Sequence, residues 1–254
     1  SSNTVNGTKG GLGSAYLSGI ITDFASEVRT EWIPQTSVAS APVIDIAPIN
    51  WYNPHLSYKI YMVPALMVML LTIICGFMPA LNIVSEKEAG TMEQINVTPI
   101  PKFTFIFSKL LPYWIMGLIV ISICFGVAYV IYGLVPIGSL ATVYFFAAIY
   151  ILTVSGFGLV VSNYSETMQQ AMFVMYFFMM VLILLSGLFT PISSMPQWAQ
   201  FITAINPLKY FMHVMRHVYL KGSSFGELTT QFFALIGFAT FFNVWAVLSY
   251  RKKH

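Results

Sequence analysis

Five runs of this sequence, at about 60–84, 104–131, 140–162, 168–189 and 228–249, are apolar for twenty residues or more. They hold one charged residue between them, Lys109. A helix crosses the ~30 Å hydrocarbon layer of a bilayer in about 20 residues. Inside that layer each backbone N–H and C=O must be satisfied within the spanning segment. Five such runs restrict the chain to membrane-spanning α-helices, unless all are buried together in one soluble helical core. Composition decides between the two: 57% of the 254 residues are hydrophobic and 8% are charged, against roughly 25% charged in soluble domains. The expected fold class is an all-α polytopic membrane protein with five transmembrane helices in this chain.

Residues 1–59 are the polar remainder and read as part of a domain outside the membrane. Leu17, Ile20, Ile21, Phe24, Val28 and Trp32 recur at helical spacing ahead of Pro34. Residues 34–54 carry four prolines and short β-branched patches, which predict extended structure with turns. The opening SSNTVNGTKGGLGS has no initiator Met, basic region or apolar core of a signal peptide. Arg251, Lys252 and Lys253 place the C-terminus in the cytoplasm. Counting back five spans puts 85–103 and 163–167 inside, and 1–59, 132–139 and 190–227 outside. An N-terminus outside predicts a further span ahead of the sequence, so the chain reads as lacking its first span.

Residues 190–222 are apolar yet too broken to cross. Pro191, Pro196 and Pro207 divide them into two short amphipathic helices, the second with Asn206 as N-cap and Pro207 in the first helical position. Such a hairpin is tolerated at membrane depth when packed in protein, and 190–222 is expected to be re-entrant.

Several chemistries are excluded. No GxxxxGKS/T phosphate loop, HExxH or GxSxG occurs, and no Cys/His metal spacing. No catalytic residue, cofactor or metal is therefore expected of this chain. His213 and His217 share a helix face with no third ligand nearby, and read as interfacial. Cys75 and Cys124 lie within apolar runs and act as small hydrophobes. A net charge of +3 is too weak to imply nucleic acid. Mid-membrane Asp, Glu and His, usual in proton-coupled transporters, are absent from the runs.

The few charges gather in SEKEAGTMEQINVTPIPK, residues 85–102. Here Glu86, Glu88 and Glu93, three of the nine acidic residues, stand beside Lys87 and Lys102. Two readings stay open on physical grounds: a solvated turn, or a segment that docks a basic partner. Met168, Met172, Met175 and Met179 fall on one helical face. Thioether faces suit promiscuous apolar ligands, and packing or lipid contact is the plainer reading. Gly158 and Ser162, four apart, fit close helix packing.

Four stretches resemble, in order, those of ABC-2 type transporter permeases, the membrane subunits of bacterial ATP-driven exporters, in the multidrug-type branch. They are WYNPHLSYKIYMVPA (51–65), EKEAGTMEQINVTPI (86–100), SKLLPYWIMG (108–117) and LSGLFTPISSMPQWAQFITAINPLKYFMHVMRHVYLKG (185–222). Ala65, Lys87 and Asn96 depart from the residues common there. The resemblance implies a six-span permease in the bacterial inner membrane, paired with a second permease subunit, that exports an apolar or amphipathic substrate. ATP and Mg would be bound by a separate ATP-binding subunit; lipid, and a periplasmic adaptor, are further partners. The 85–101 loop would couple to that subunit through Glu86, Glu88, Gly90, Thr91 and Glu93. The second and fifth spans would line the path, with the methionine face and Phe189 along it. Pro191, Met195, Pro196, Trp198, Asn206, Pro207, Tyr210 and Arg216 would belong to the re-entrant outer gate. The alternative is an ATP-independent secondary transporter or channel.

Overall fold

The computed structural model describes residues 7–32, 58–91 and 101–250, which form helices and turns and, among these residues, no strand. The chain divides into two units, residues 1–61 and 62–254. In the first, α1 (Gly7–Trp32) is the helix expected from the apolar spacing. Its Leu17, Ile20, Ile21 and Phe24 are exposed. The extended stretch expected at 34–54 lies outside the described residues.

The second unit is a helical bundle. Among the described residues four helices are long and apolar enough to cross a membrane: α2 (Tyr58–Glu88), α3 (Lys102–Tyr132), α4 (Leu140–Tyr164) and α8 (Thr229–Ser249, extended by a 3-10 turn from Phe225). The fifth expected span is shorter than 168–189. Helix α5 runs over Met168–Leu184, 17 residues, or ~26 Å. Hydropathy continues through LSGLF, but the helix does not. Ser186 Oγ donates to Ile183 O at 2.7 Å and accepts from Leu188 N at 3.2 Å. Gly187 then turns the chain at φ +83°, a left-handed backbone that costs glycine little.

Beyond that turn the expected pair of short helices is present: α6 (Gln197–Thr203) and α7 (Pro207–Arg216). Asn206 Oδ1 accepts from Leu208 N at 2.9 Å, and Pro207 fills the first helical position, where its missing N–H costs nothing. A π-helical turn, His217–Lys221, closes α7.

Helix α4 is the most heavily buried of the long helices and packs most extensively against α8. In a bilayer the hydrophobic effect does not drive helices together, so close packing and interhelical hydrogen bonds must. Both are present. Asn163 Nδ2 donates to Ala246 O and Ser249 Oγ, each at 2.8 Å, and Asn243 Nδ2 donates to Leu152 O at 3.0 Å. Across the α2–α4 contact, a Cβ at Gly158 would stand 2.4 Å from the Gly76 carbonyl oxygen. Gly76 lies in a π-helical turn, Ile73–Phe77, within α2. Tyr150 of α4 is fully buried, shares a 2.6 Å hydrogen bond with Thr72 and stacks on Phe211 of α7 with ring centroids 4.4 Å apart.

Candidate functional site

The α2 end is where the chain's scarce charges meet. Glu86 and Lys87 are neighbours in sequence and point to different helices. Glu86 forms an ion pair with Lys109 of α3. Lys87 donates to the carbonyls that end α4, those of Ser162, Asn163 (3.3 Å) and Ser165 (3.2 Å). Those carbonyls have no partner within the helix, and a cation suits the negative end of the helix dipole. One turn of α2 thus ties down the start of α3 and the end of α4.

At Gly90 the helix ends. Gly90 adopts φ +73° and its N–H donates to Lys87 O at 3.1 Å, while Thr91 Oγ1 donates to Glu86 O at 3.0 Å. Glu88 and Thr91 are exposed and Gly90 is half-buried. The five residues expected to act together therefore divide. Glu86 is engaged within the chain, Glu88, Gly90 and Thr91 form the projecting turn, and Glu93 lies outside the described residues. Lys109, the one charge within the apolar runs, is held by Glu86.

The other end of α5 is organised around α7. Asn206 Nδ2 donates to Leu182 O at 2.7 Å. The Arg216 guanidinium donates to Gly187 O at 3.0 Å and Leu188 O at 3.2 Å. Asn206 and Arg216, the N-cap and the last residue of the same short helix, fasten α7 to the end of α5 and the turn that stops it. Pro191 and Pro196 precede the 3-10 turn and α6, and Gln200 Nε2 closes onto Met195 O at 2.8 Å. Tyr210 OH donates to Ala204 O at 2.9 Å. Phe189 and Trp198 are exposed.

His213 and His217 stack with centroids 3.8 Å apart, and His213 Nδ1 shares a 3.1 Å hydrogen bond with Gln231 Nε2. Burial, the stacked His213 and Lys221 push His217 down to about 4, with Glu227 opposing them.

The four methionines do not share one environment. Met175 and Met179 are buried, Met168 is half-buried and Met172 is exposed. A Cβ at Gly76 would meet Met179 Cε at 2.4 Å, so this part of the face packs on the π turn of α2. The exposed side of α5 is aromatic, with Phe173, Tyr176 and Phe177. Sequence reasoning missed the roles of Lys87 and Tyr150, whose partners lie 75 or more residues away along the chain. No local pattern could have paired them.

The family model of ABC-2 family transporter proteins matches residues 2–248. Among similar proteins, the probable multidrug ABC transporter permease YbhR of Escherichia coli (strain K12) is 32% identical over 248 residues, 98% of this chain and 66% of that protein. The probable multidrug ABC transporter permease YbhS of the same organism is 28% identical over 202 residues, 79% of this chain and 54% of that protein. ABC transporter G family member 20 of Dictyostelium discoideum is 22% identical over 223 residues, 86% of this chain and 30% of that protein. The chain thus spans about two thirds or less of the length of these relatives.

Proposed function

The chain belongs to the ABC-2 transporter family, and from that premise we propose that it is the permease part of an ATP-driven exporter in the bacterial inner membrane. It moves an apolar or amphipathic substrate of the drug or lipid type. A separate ATP-binding subunit binds ATP and Mg and hydrolyses the nucleotide; a second permease subunit completes the transporter. In this reading α5 with its following turn is the fifth span, α6 and α7 form the re-entrant outer element, and the C-terminus is cytoplasmic. The relatives' names support the class of cargo, and the family supports the ATPase partner.

The observation that carries the coupling is the bonding of α2's last turn. The projecting residues Glu88, Gly90 and Thr91 are what an ATPase would touch. Glu86 and Lys87, just behind them, hold α3 and α4. A push on the turn reaches three helices at once through those bonds. Substrate moves along α2 and α5, past Met172 and Phe189 toward the α6–α7 hairpin.

The test uses the full-length permease with its ATPase in lipid nanodiscs. Glu88→Ala with Thr91→Ala should weaken ATPase binding. Lys87→Met, which keeps the aliphatic stem, should leave the complex assembled and lower substrate-stimulated hydrolysis several-fold. If no ATPase associates, or transport continues without ATP, the protein is an ATP-independent transporter and the coupling reading fails.

A further inference from the structure

Helix α2 is made of two parts, Tyr58–Thr72 and Met78–Glu88, joined by the π turn Ile73–Phe77. A π turn winds in one residue more than an α turn, and helices bend at such places. Passing the extra residue along would rotate the first part against the second by about 100°. One stripe of α4 seats this joint. Tyr150, Val154 and Gly158 recur every four residues and so share a helix face. Gly158 leaves room for the Gly76 carbonyl and Val154 packs beside Gly76. Tyr150 reaches Thr72, the residue just before the π turn.

Counting hydrogens sets the direction of that bond. The Thr72 hydroxyl has a single hydrogen, and Thr72 Oγ1 donates it to Val68 O at 2.6 Å. In the 2.6 Å contact between the two hydroxyls Tyr150 is therefore the donor. The face of the same ring lies on Phe211 of α7, with centroids 4.4 Å apart and planes 12° from parallel. Thr72, Tyr150 and Phe211 each expose 1% or less of their surface. One buried side chain thus has its hydroxyl at the joint of α2 and its ring against α7, the helix that Asn206 and Arg216 fasten to the end of α5.

We propose that Tyr150 is the positioning residue that carries a bend of α2 at its π turn to α7. This rests on the exporter reading, in which α2 is pushed from its Glu88–Thr91 end and α7 belongs to the outer gate. A bend that moves Thr72 draws on the Tyr150 hydroxyl, and the ring, lying flat on Phe211, takes α7 with it. Without that hydroxyl Thr72 still gives its hydrogen to Val68 O, so α2 keeps its own bonds complete. The hydroxyl links α2 to α7 and is not required to finish either helix.

The experiment follows hydrogen exchange in full-length permease with its ATPase in lipid nanodiscs, with and without ATP trapped by vanadate. In the wild type, protection should change in both α2 and α7. Tyr150→Phe keeps the stacked ring: α2 should respond as before, the response of α7 should fall about fivefold, and the melting temperature should stay within about 2 °C of wild type. Thr72→Ser retains the acceptor and should behave as wild type. Thr72→Val leaves the Tyr150 hydroxyl buried without its acceptor and should lower the melting temperature by roughly 5 °C. Adding Tyr150→Phe to Thr72→Val removes both partners and should restore the melting temperature but not the response of α7. A merely structural Tyr150 would regain that response together with the stability. Phe211→Leu, which breaks the link on its α7 side, should give the same loss and decides the matter should Tyr150→Phe fail to fold. An α7 that does not respond in the wild type, or that responds undiminished in the folded variants, overturns the role of Tyr150 and leaves the exporter reading in place. An α2 that ignores ATP in the wild type overturns the exporter reading, and the role of Tyr150 with it.

Discussion

Lys87 and Arg216 stand at opposite ends of α5's reach and solve the same problem with different chemistry. Each is a cation placed on carbonyls left over where a helix stops: Lys87 on Ser162, Asn163 and Ser165 after α4, Arg216 on Gly187 and Leu188 after α5. A lysine ammonium is a compact charge on a flexible stem, and it can keep three acceptors within reach while the helix beneath it shifts. A guanidinium is a rigid planar fork that holds two acceptors in one orientation. The Lys87 end is therefore the compliant one. The Arg216 end, with Asn206 adding a second tie to Leu182, fixes α7 against the turn after α5. In the proposed exporter this is the useful order: the end pressed by an ATPase yields, while the outer element turns as a body.

The largest expected effect lies between the two ends. A Cβ at Gly158 meets the Gly76 backbone oxygen, which cannot move aside, whereas a Cβ at Gly76 meets only side chains, the flexible tip of Met179 and the stiffer Cγ1 of Val154. Gly158→Ala should cost about 3 kcal/mol and Gly76→Ala about 1 kcal/mol, read as thermal unfolding in nanodiscs. Equal effects would mean that α2 and α4 are free to separate at that point, and the contrast between a yielding and a rigid end would lose its fulcrum. Next comes Arg216→Ala, expected to cost about 2 kcal/mol by removing the guanidinium donors from the Gly187 and Leu188 carbonyls. Arg216→Lys should recover less than half. Lys87→Ala should cost about 1 kcal/mol and Lys87→Arg close to nothing, because three acceptors accommodate either cation. If lysine rescues Arg216 fully, the fork is not what holds that end.

How far the sequence anticipates this depends on the range of the interaction. Four long apolar helices, the α6–α7 break and the Asn206–Pro207 helix start are all legible, because apolar length, proline and an N-cap act over a few residues. The end of α5 is misread by five residues, since Ser186 and Gly187 stop the helix without lowering the hydropathy of LSGLF. Glu86 is legible as a charge out of place but not as a partner of Lys109, 23 residues on. The methionine face has the right spacing and a divided fate, because spacing fixes which side chains share a direction and not which neighbour fills it. Gly158 and Ser162 carry a general signal for close packing, and both are buried. Their particular partners, the Gly76 carbonyl and Lys87, come only with the folded bundle.

The smallest effect distinguishes the two ends by pH. His217 sits one residue past Arg216, stacked on His213, and is pushed down to about 4 by burial first, then by His213 and Lys221, with Glu227 opposing. Unfolded, it would titrate near its ordinary value of about 6.5. Between those values the unfolded chain binds the proton more readily than the folded one. The stability tied to neutral His217 is therefore fully present above about pH 6.5 and lost as pH falls toward 4. The ring is half-exposed, so solvent screening keeps the loss below about 1 kcal/mol. His213, also lowered by burial and by Lys221, Arg216 and Lys209, acts in the same direction. Melting temperatures of wild type and His217→Gln, measured from pH 7.5 to 4.5, should diverge below 6.5, with the flatter profile in the variant. Lys87→Ala should lower the whole profile without changing its slope, since no histidine among the described residues lies at that end. A slope that flattens with Lys87→Ala instead would place the proton-sensitive contact at the compliant end, and the assignment of rigidity to the Arg216 end would have to be reversed.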